Sequence, residues 1–238
     1  MIRIVTYNLR GGLGMDGVRS LSRIAQVLRP LAADIICLQE LHCCTWNAGR
    51  ENQPNRLARS LARHMLFQAT RRYPLGGTYG IGIAVRHTVE AVREHALPGD
   101  TEPRGALEVR LRNLNGLRRL TVFCTHWGLT PAGRAQQASV LAQIAREAPR
   151  PLLIAGDFNA PPDDPAVRHL RECVNLQDAD AQQNRPTFVA DRPTVRIDLI
   201  LHSNDLMPAH VEVIPTQASD HLPVMADLRP VAQQHPPE

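Results

Sequence analysis

Apolar residues fall in short runs along this chain, and many of the runs stop at a polar residue able to do chemistry. Ile2 and Ile4 alternate with Arg3 and Val5 ahead of Tyr7 and Asn8, which predicts a strand ending at Asn8 and a flexible loop at Gly11, Gly12, Leu13 and Gly14. Residues 18–32 place Leu21, Ile24, Ala25 and Leu28 at helical spacing, with Pro30 marking the approach to the end. Residues 34–40, DIICLQE, repeat the opening pattern and finish in Gln39 and Glu40. The first forty residues therefore predict a β-α-β unit.

Beyond a polar stretch from Leu41 to Arg56, Leu57 and Leu61 predict a short helix. Tyr79 to Val85 alternates as a strand, with Gly80 and Gly82 marking close neighbours. Two more strands follow, one through Leu107, Val109 and Leu111 after Arg104 and Gly105, the other through Leu120, Val122 and Cys124 up to His126. Residues 133–147 form a helix with Ala138, Leu141 and Ala145 on one side. It leads into LLIAGDFN, residues 152–159, which predicts a buried strand carrying a carboxylate and a carboxamide to a sheet edge before Pro161 and Pro162 end the run. On an extended backbone Asp157 and Asn159 would project from the same side, and Gly156 would allow close approach to the backbone. Gly, Asp and Asn are also turn residues, so this stretch alone reads equally well as a strand ending in a turn.

Asp164 to Cys173 predicts a helix, and Gln177 to Arg192 an irregular polar connection. Strands follow at Ile197 to Leu201, which carries Asp198, at Val211 to Ile214, and at Leu222 to Leu228, the last preceded by Ser219, Asp220 and His221. No repeat, low-complexity block or linker interrupts the pattern. The expectation is one domain over residues 1–229 and a disordered Pro- and Gln-rich tail over 230–238.

Composition narrows the function classes. At 238 residues and 43% hydrophobic, the chain can bury a sizeable core without disulfides. All 27 basic residues are arginine, the formal net charge is +4, and the charges scatter with no run of five or six, so a broad nucleic-acid footprint is permitted but not indicated. Aromatic residues at 4% argue against a base-stacking platform. Cys37, Cys43, Cys44, Cys124 and Cys173 are odd in number and form no CxxC spacing, which predicts reduced structural thiols. There is no signal-peptide core and no apolar stretch near ~18 residues, so a cytoplasmic location is expected. A basic amphipathic helix is also missing; no stable membrane anchor and a monomer are expected.

The polar strand-end residues are Asn8, Glu40, His126, Asp157, Asn159, Asp198, Asp220 and His221. Brought together, they would make one carboxylate-rich site suited to a hard, oxygen-seeking divalent cation such as Mg²⁺. Zinc would call for more nitrogen or sulfur than His126 and His221 supply. Asn8, Asp220 and His221 could each serve only a turn, but Asp198 between Ile197 and Leu199 is an ionisable group in an apolar strand and needs a partner. Arg104, at a strand start, could contact phosphate or be a solvated or salt-bridged residue.

The order of TYN (6–8), LQE (38–40), TH (125–126), GDFN (156–159), RID (196–198) and SDH (219–221) resembles the endonuclease/exonuclease/phosphatase superfamily, with EPRG (102–105) and the helix start at 134–137 in support. The resemblance spans about residues 2–228. It implies an α/β fold, a four-layered α/β sandwich of two packed, mostly antiparallel mixed sheets flanked by helices, and a Mg²⁺-dependent phosphoester hydrolase, with Mn²⁺ as an alternative metal. It further implies that Glu40 is the main metal ligand with Asn8 and Asp220 beside it, and that Asp157 positions or deprotonates the attacking water. Asn159 would then hold the nucleophile or a phosphate oxygen, His221 paired with Asp198 would meet the phosphate, and His126 would contact it from another side.

The substrate expected is a phosphodiester in nucleic acid or a phospholipid headgroup. The alternatives are a phosphomonoesterase acting on a small molecule or inositol lipid, and a catalytically silent binding module. THWGL (125–129) stands where abasic-site endonucleases carry a tyrosine-containing motif, and DNA-gripping basic insertions are missing, which puts DNA repair in doubt. Trp127 could line a pocket or simply pack.

Overall fold

The computed structural model describes residues 1–99 and 101–231. Its strands, in chain order, are β1 (Ile2–Asn8), β2 (Ile35–Cys43), β3 (His64–Arg72), β4 (Thr78–Val85), β5 (Thr88–Leu97), β6 (Arg104–Leu114), β7 (Leu117–His126), β8 (Leu152–Asp157), β9 (Leu176–Asp178), β10 (Asp198–Ser203), β11 (Leu206–Val213) and β12 (Val224–Pro230). The helices are α1 (Leu21–Leu28), α2 (Gln53–Leu61), α3 (Pro131–Glu147) and α4 (Pro165–Val174). Two six-stranded sheets result, one ordered β11-β12-β1-β2-β4-β3 and the other β5-β6-β7-β8-β10-β9. Each contains one parallel pair, β1 with β2 and β7 with β8, bridged by α1 and α3 respectively. Every other pairing is antiparallel.

Alternation on the strands divides the apolar side chains between layers. Ile2, Ile4, Ile35, Ile81, Leu107, Val109, Val122 and Leu153 meet between the sheets, while Val5, Ile36 and Leu38 turn outward onto Leu21, Ile24 and Leu28 of α1 and Leu57 of α2. Phe123, Ile154 and Leu199 pack likewise against Ala138 and Leu141 of α3 and Leu170 of α4. The four-layered α/β sandwich is thus observed. Helix α1 is shorter than residues 18–32 because Ser20 caps its start, accepting from the Arg23 N–H, and the chain leaves helical geometry around Pro30.

Three strands escape the apolar pattern: β3, β5 and the three-residue β9, which overlaps the start of the expected irregular connection. Both β3 and β5 lie at sheet edges, where one flank faces solvent and polar residues are tolerated, so TVEAVREHAL carries charge along its length. The last strand runs through Pro230, and residues 232–238 of the expected tail lie outside the described residues. All five cysteines are free. Among the described residues, no helix is long and apolar enough to cross a membrane.

The sheets present their functional ends at the same edge. Register sets Asp157 opposite both His126 and Asp198, and His126 opposite Gly105, so β6, β7, β8 and β10 converge there. In the other sheet Asn8 pairs with Gln39, and β12 begins beside Thr6, which carries the preceding Asp220 and His221 to the end of β1.

Candidate active site

Glu40 does not end its strand as the apolar pattern suggests. β2 continues to Cys43 through a bulge in which Gln39 and Glu40 together oppose Ile81, since Leu38 pairs with Gly82 and Leu41 with Gly80. Glu40 takes the extra position with φ of 59°, a conformation costly for a side-chain-bearing residue and found where structure over-determines it. The bulge turns a residue that alternation would place in a layer toward the sheet end. Arg10 (φ 48°) and Asn159 (φ 47°) share this left-handed geometry.

Asn8 joins the two sheets. Its amide nitrogen donates to Glu40 Oε1 at 3.1 Å and to Asp157 Oδ2 at 2.9 Å, while its oxygen accepts from the Arg10 backbone N–H at 3.0 Å. Two carboxylates on one side and an N–H on the other fix the amide orientation. Asp157 is buried at the end of β8, and His126 Nε2 and His221 Nε2 lie 3.5 and 3.7 Å from its Oδ2. His221 Nδ1 in turn meets Asp198 Oδ2 at 2.9 Å. Asp198 is fully buried and has found the partner its apolar strand requires.

Asn159 is brought in differently from the extended alternation expected. The strand stops at Asp157, the Asn159 N–H donates to Asp157 Oδ1 at 2.8 Å, and the side chain donates to the Trp127 carbonyl at 2.8 Å. Gly156 does permit a close approach, but the approaching group is the Thr125 carbonyl of β7, with which a Cβ would collide. Trp127 lines no pocket; it is fully buried, edge-on to Phe158 at 4.7 Å. Arg104 is salt-bridged rather than solvated: it is buried, donates from Nη1 to His126 Nδ1 at 3.0 Å and pairs with Glu102 at 3.5 Å. An arginine cannot accept, so the His126 proton resides on Nε2, facing Asp157. Asp220, half-buried, pairs with Arg10 at 3.2 Å.

The charges are set by burial and by one another. Burial disfavours the Asp157 carboxylate and raises its pKa to about 6, against the pull of the His221 cation. Burial also opposes charge on His221, yet Asp198 and Asp157 outweigh it and carry the imidazole up to about 10. His126 moves the opposite way, held neutral by burial and by the neighbouring Arg104 and His221 cations. A charged and a neutral imidazole thus flank one carboxylate.

A family model described as "Endonuclease/Exonuclease/phosphatase family" matches residues 5–221. The chain belongs to the endonuclease/exonuclease/phosphatase family. The Escherichia coli protein YbhP is 28% identical over 246 residues, an alignment covering 95% of each chain. Among solved structures, a family member from Beutenbergia cavernae superposes with a TM-score of 0.82 at 26% identity, over 96% of this chain and 71% of its own. The mannosyl-6-phosphatase Bt3783 of Bacteroides thetaiotaomicron gives a TM-score of 0.79 at 18% identity, over 96% of this chain and 100% of its own, a likeness of fold.

As an endonuclease/exonuclease/phosphatase protein the chain is of a phosphoester hydrolase family that is typically metal-dependent, and its donor set suits a hard cation. Burial raises the Glu40 carboxyl and Asp220 adds to the effect, with the Asn8 amide among the opposing influences, so negative charge at this edge is under-compensated. Asp157, Asp198 and His221 also bring ligand atoms within 4.8 Å of one another. There, however, His221 Nδ1 faces Asp198 in a hydrogen bond and the imidazole is cationic, which suits proton chemistry better than cation binding. Two contributors escaped the sequence reading. Arg10 follows directly on TYNL, but no pattern marks a loop arginine as paired with Asp220. Phe188, in the irregular connection, places its ring 4.8 Å from that of His221.

Proposed function

We propose that this protein is a Mg²⁺-dependent phosphodiesterase that hydrolyses its substrate by in-line attack of an activated water. What carries the proposal is the buried chain Asp198–His221–Asp157, linked at 2.9 and 3.7 Å, with neutral His126 at 3.5 Å from the same Asp157 oxygen. A water placed against Asp157 would find a carboxylate whose proton affinity burial has increased, which favours accepting the water's proton. His221 would face the phosphoryl oxygens as a cation, and His126 would offer them its Nε2 proton. Asn159, tied by its backbone to Asp157 and by its side chain to Trp127, would border the attacking water. Glu40 and Asp220 would hold the cation, with Asn8 joining Glu40 to Asp157. When bound, Mg²⁺ would neutralise charge on the phosphoryl oxygens.

The charge balance favours a diester. Four carboxylates, Glu40, Asp157, Asp198 and Asp220, stand against the His221 cation and two arginines already engaged with Asp220 and with His126 and Glu102. Mg²⁺ held by Glu40 and Asp220 would offset two of those charges, and with it in place a monoanionic diester leaves less excess negative charge than a dianionic monoester. The second reading is a phosphomonoesterase, favoured by the Arg10 side chain, which is 41% exposed and has room for a further anionic oxygen. Mannosyl-6-phosphatase Bt3783, as named, acts on such an ester. Hydrolysis of bis-p-nitrophenyl phosphate and p-nitrophenyl phosphate with Mg²⁺ and with EDTA separates the two, and a panel of single- and double-stranded DNA, RNA, sphingomyelin and inositol phosphates then assigns the substrate. Faster, EDTA-sensitive cleavage of the diester is expected. Cleavage of the monoester alone would establish the second reading, and inertness toward the whole panel would leave a binding module.

A further inference from the structure

We propose that Thr187 is a positioning residue for the Asp198–His221 pair, an inference that rests on the hydrolase reading above. Thr187 lies in the polar connection between β9 and β10 and is fully buried. Its Oγ1 stands 2.7 Å from Asp198 Oδ2 and accepts from the backbone N–H groups of Ile197 and Asp198, each at 3.3 Å. A hydroxyl has one proton and two acceptor positions. With both acceptor positions facing backbone donors, the proton is directed at the carboxylate.

Asp198 Oδ2 therefore receives two hydrogen bonds, from the Thr187 hydroxyl and from His221 Nδ1 at 2.9 Å. Oδ1, also buried, has no hydrogen-bond partner among the described residues, so Oδ2 alone anchors the carboxylate. The main chain around Thr187 grips the other member of the pair. The Leu222 N–H donates to the Thr187 carbonyl and the Ala190 N–H to the Asp220 carbonyl, both at 2.8 Å, and the Phe188 ring leans on the His221 imidazole. Residues 187–190 thus fasten the RID segment to the SDH segment, the carboxylate through a side chain and the histidine through backbone and ring. Loss of the hydroxyl would keep the backbone grip but release the carboxylate to rotate, and His221 would lose a fixed acceptor for Nδ1.

The test compares wild type, Thr187→Val and Thr187→Ser in Mg²⁺-supported diester hydrolysis. The valine variant should lose kcat by roughly 10- to 100-fold with KM little changed, the factor set by one hydrogen bond to a charged group, and serine should recover most of it. In an Asp198→Ala background Thr187→Val should cost nothing further, because the hydroxyl acts through that carboxylate. Wild-type kcat in Thr187→Val, or an equal loss in both backgrounds, would overturn the role. Should the valine variant not fold, Thr187→Ala puts the same question without placing a methyl where the oxygen sat. Should wild type hydrolyse no ester, the hydrolase reading fails by itself, and the low-field proton resonance of His221 Nδ1–H still decides the positioning. Its loss in Thr187→Val and return in Thr187→Ser support the role, and its persistence in Thr187→Val refutes it.

Discussion

His221 lies between two buried carboxylates, with Nδ1 2.9 Å from Asp198 Oδ2 and Nε2 3.7 Å from Asp157 Oδ2. Asp198 orients the ring and favours its cationic form, so Asp198→Ala removes both effects from the group proposed to face the phosphoryl oxygens. Turnover should fall roughly 100- to 10,000-fold, the span of a lost acid–base contribution, and the double variant with His221→Ala should be little worse than either single one. Steady-state kinetics on the diester check this. Additive losses would mean that the two residues act separately.

Asp157→Asn keeps the shape and an acceptor for the Asn8 amide but removes the proposed base. Activity should drop by orders of magnitude while circular dichroism stays unchanged. Relief of the buried charge and loss of the acceptor that Oδ1 gives the Asn159 N–H oppose each other, so the melting temperature should shift by only a few degrees at neutral pH. Near-normal turnover would remove Asp157 from water activation.

Glu40, proposed as a metal ligand, offers a test that separates metal binding from chemistry. Mg²⁺ added to wild type should raise its melting temperature in a concentration-dependent way, because a ligand that binds only the folded state stabilises it by mass action. Glu40→Gln should abolish that rise and the EDTA-sensitive activity together, as read by calorimetry and hydrolysis. An unchanged Mg²⁺ response would move the cation site elsewhere.

The strands that deliver Asn8, His126, Asp157 and Asp198 were legible because each is an apolar run with a polar terminus, a signal that survives without tertiary context. Glu40 was legible as a residue but not as a geometry, since no alternation announces a bulge. Asn159 was placed beside Asp157 for the wrong reason: local hydrogen bonding to the Asp157 carboxylate, not strand alternation, brings it in. Thr187 was invisible because its role depends on Asp198, eleven residues on, and on His221, farther still. Edge strands β3 and β5 are unreadable because exposure relaxes the apolar demand that makes a strand legible, and edge strand β9 because three residues are too few to show an alternation.

Gly156 tests how closely β7 and β8 must approach to seat His126 beside Asp157. A methyl at Gly156 would meet the Thr125 carbonyl, which belongs to a paired strand and has little freedom to yield. Gly156→Ala should destabilise by about 1–3 kcal/mol or more, lowering the melting temperature by roughly 2–12 °C or more. A variant as stable as wild type would show that the strands can separate at no cost.

Arg3 and Asp227 predict the acid limb of stability. Arg3 Nε and Nη2 donate to the two Asp227 oxygens at 2.7 Å each, and Nη1 donates to the Leu31 carbonyl at 3.0 Å, which ties β1 to β12 and to the segment after α1. The Arg3 hydrogen bonds hold the Asp227 carboxyl below its usual range. A carboxylate with a depressed folded pKa stabilises the protein above its unfolded pKa of about 4, and that contribution disappears as pH falls through the lower folded value. Asp227→Asn should therefore melt below wild type at pH 7, by roughly 2–8 °C for a loss of about 1–2 kcal/mol in a two-pronged charged hydrogen bond. The gap should narrow as pH drops below about 4 and close once Asp227 is protonated in both states. Calorimetry of both proteins from pH 7 to pH 2.5 measures it, and a gap independent of pH would show that shape rather than charge joins the strands.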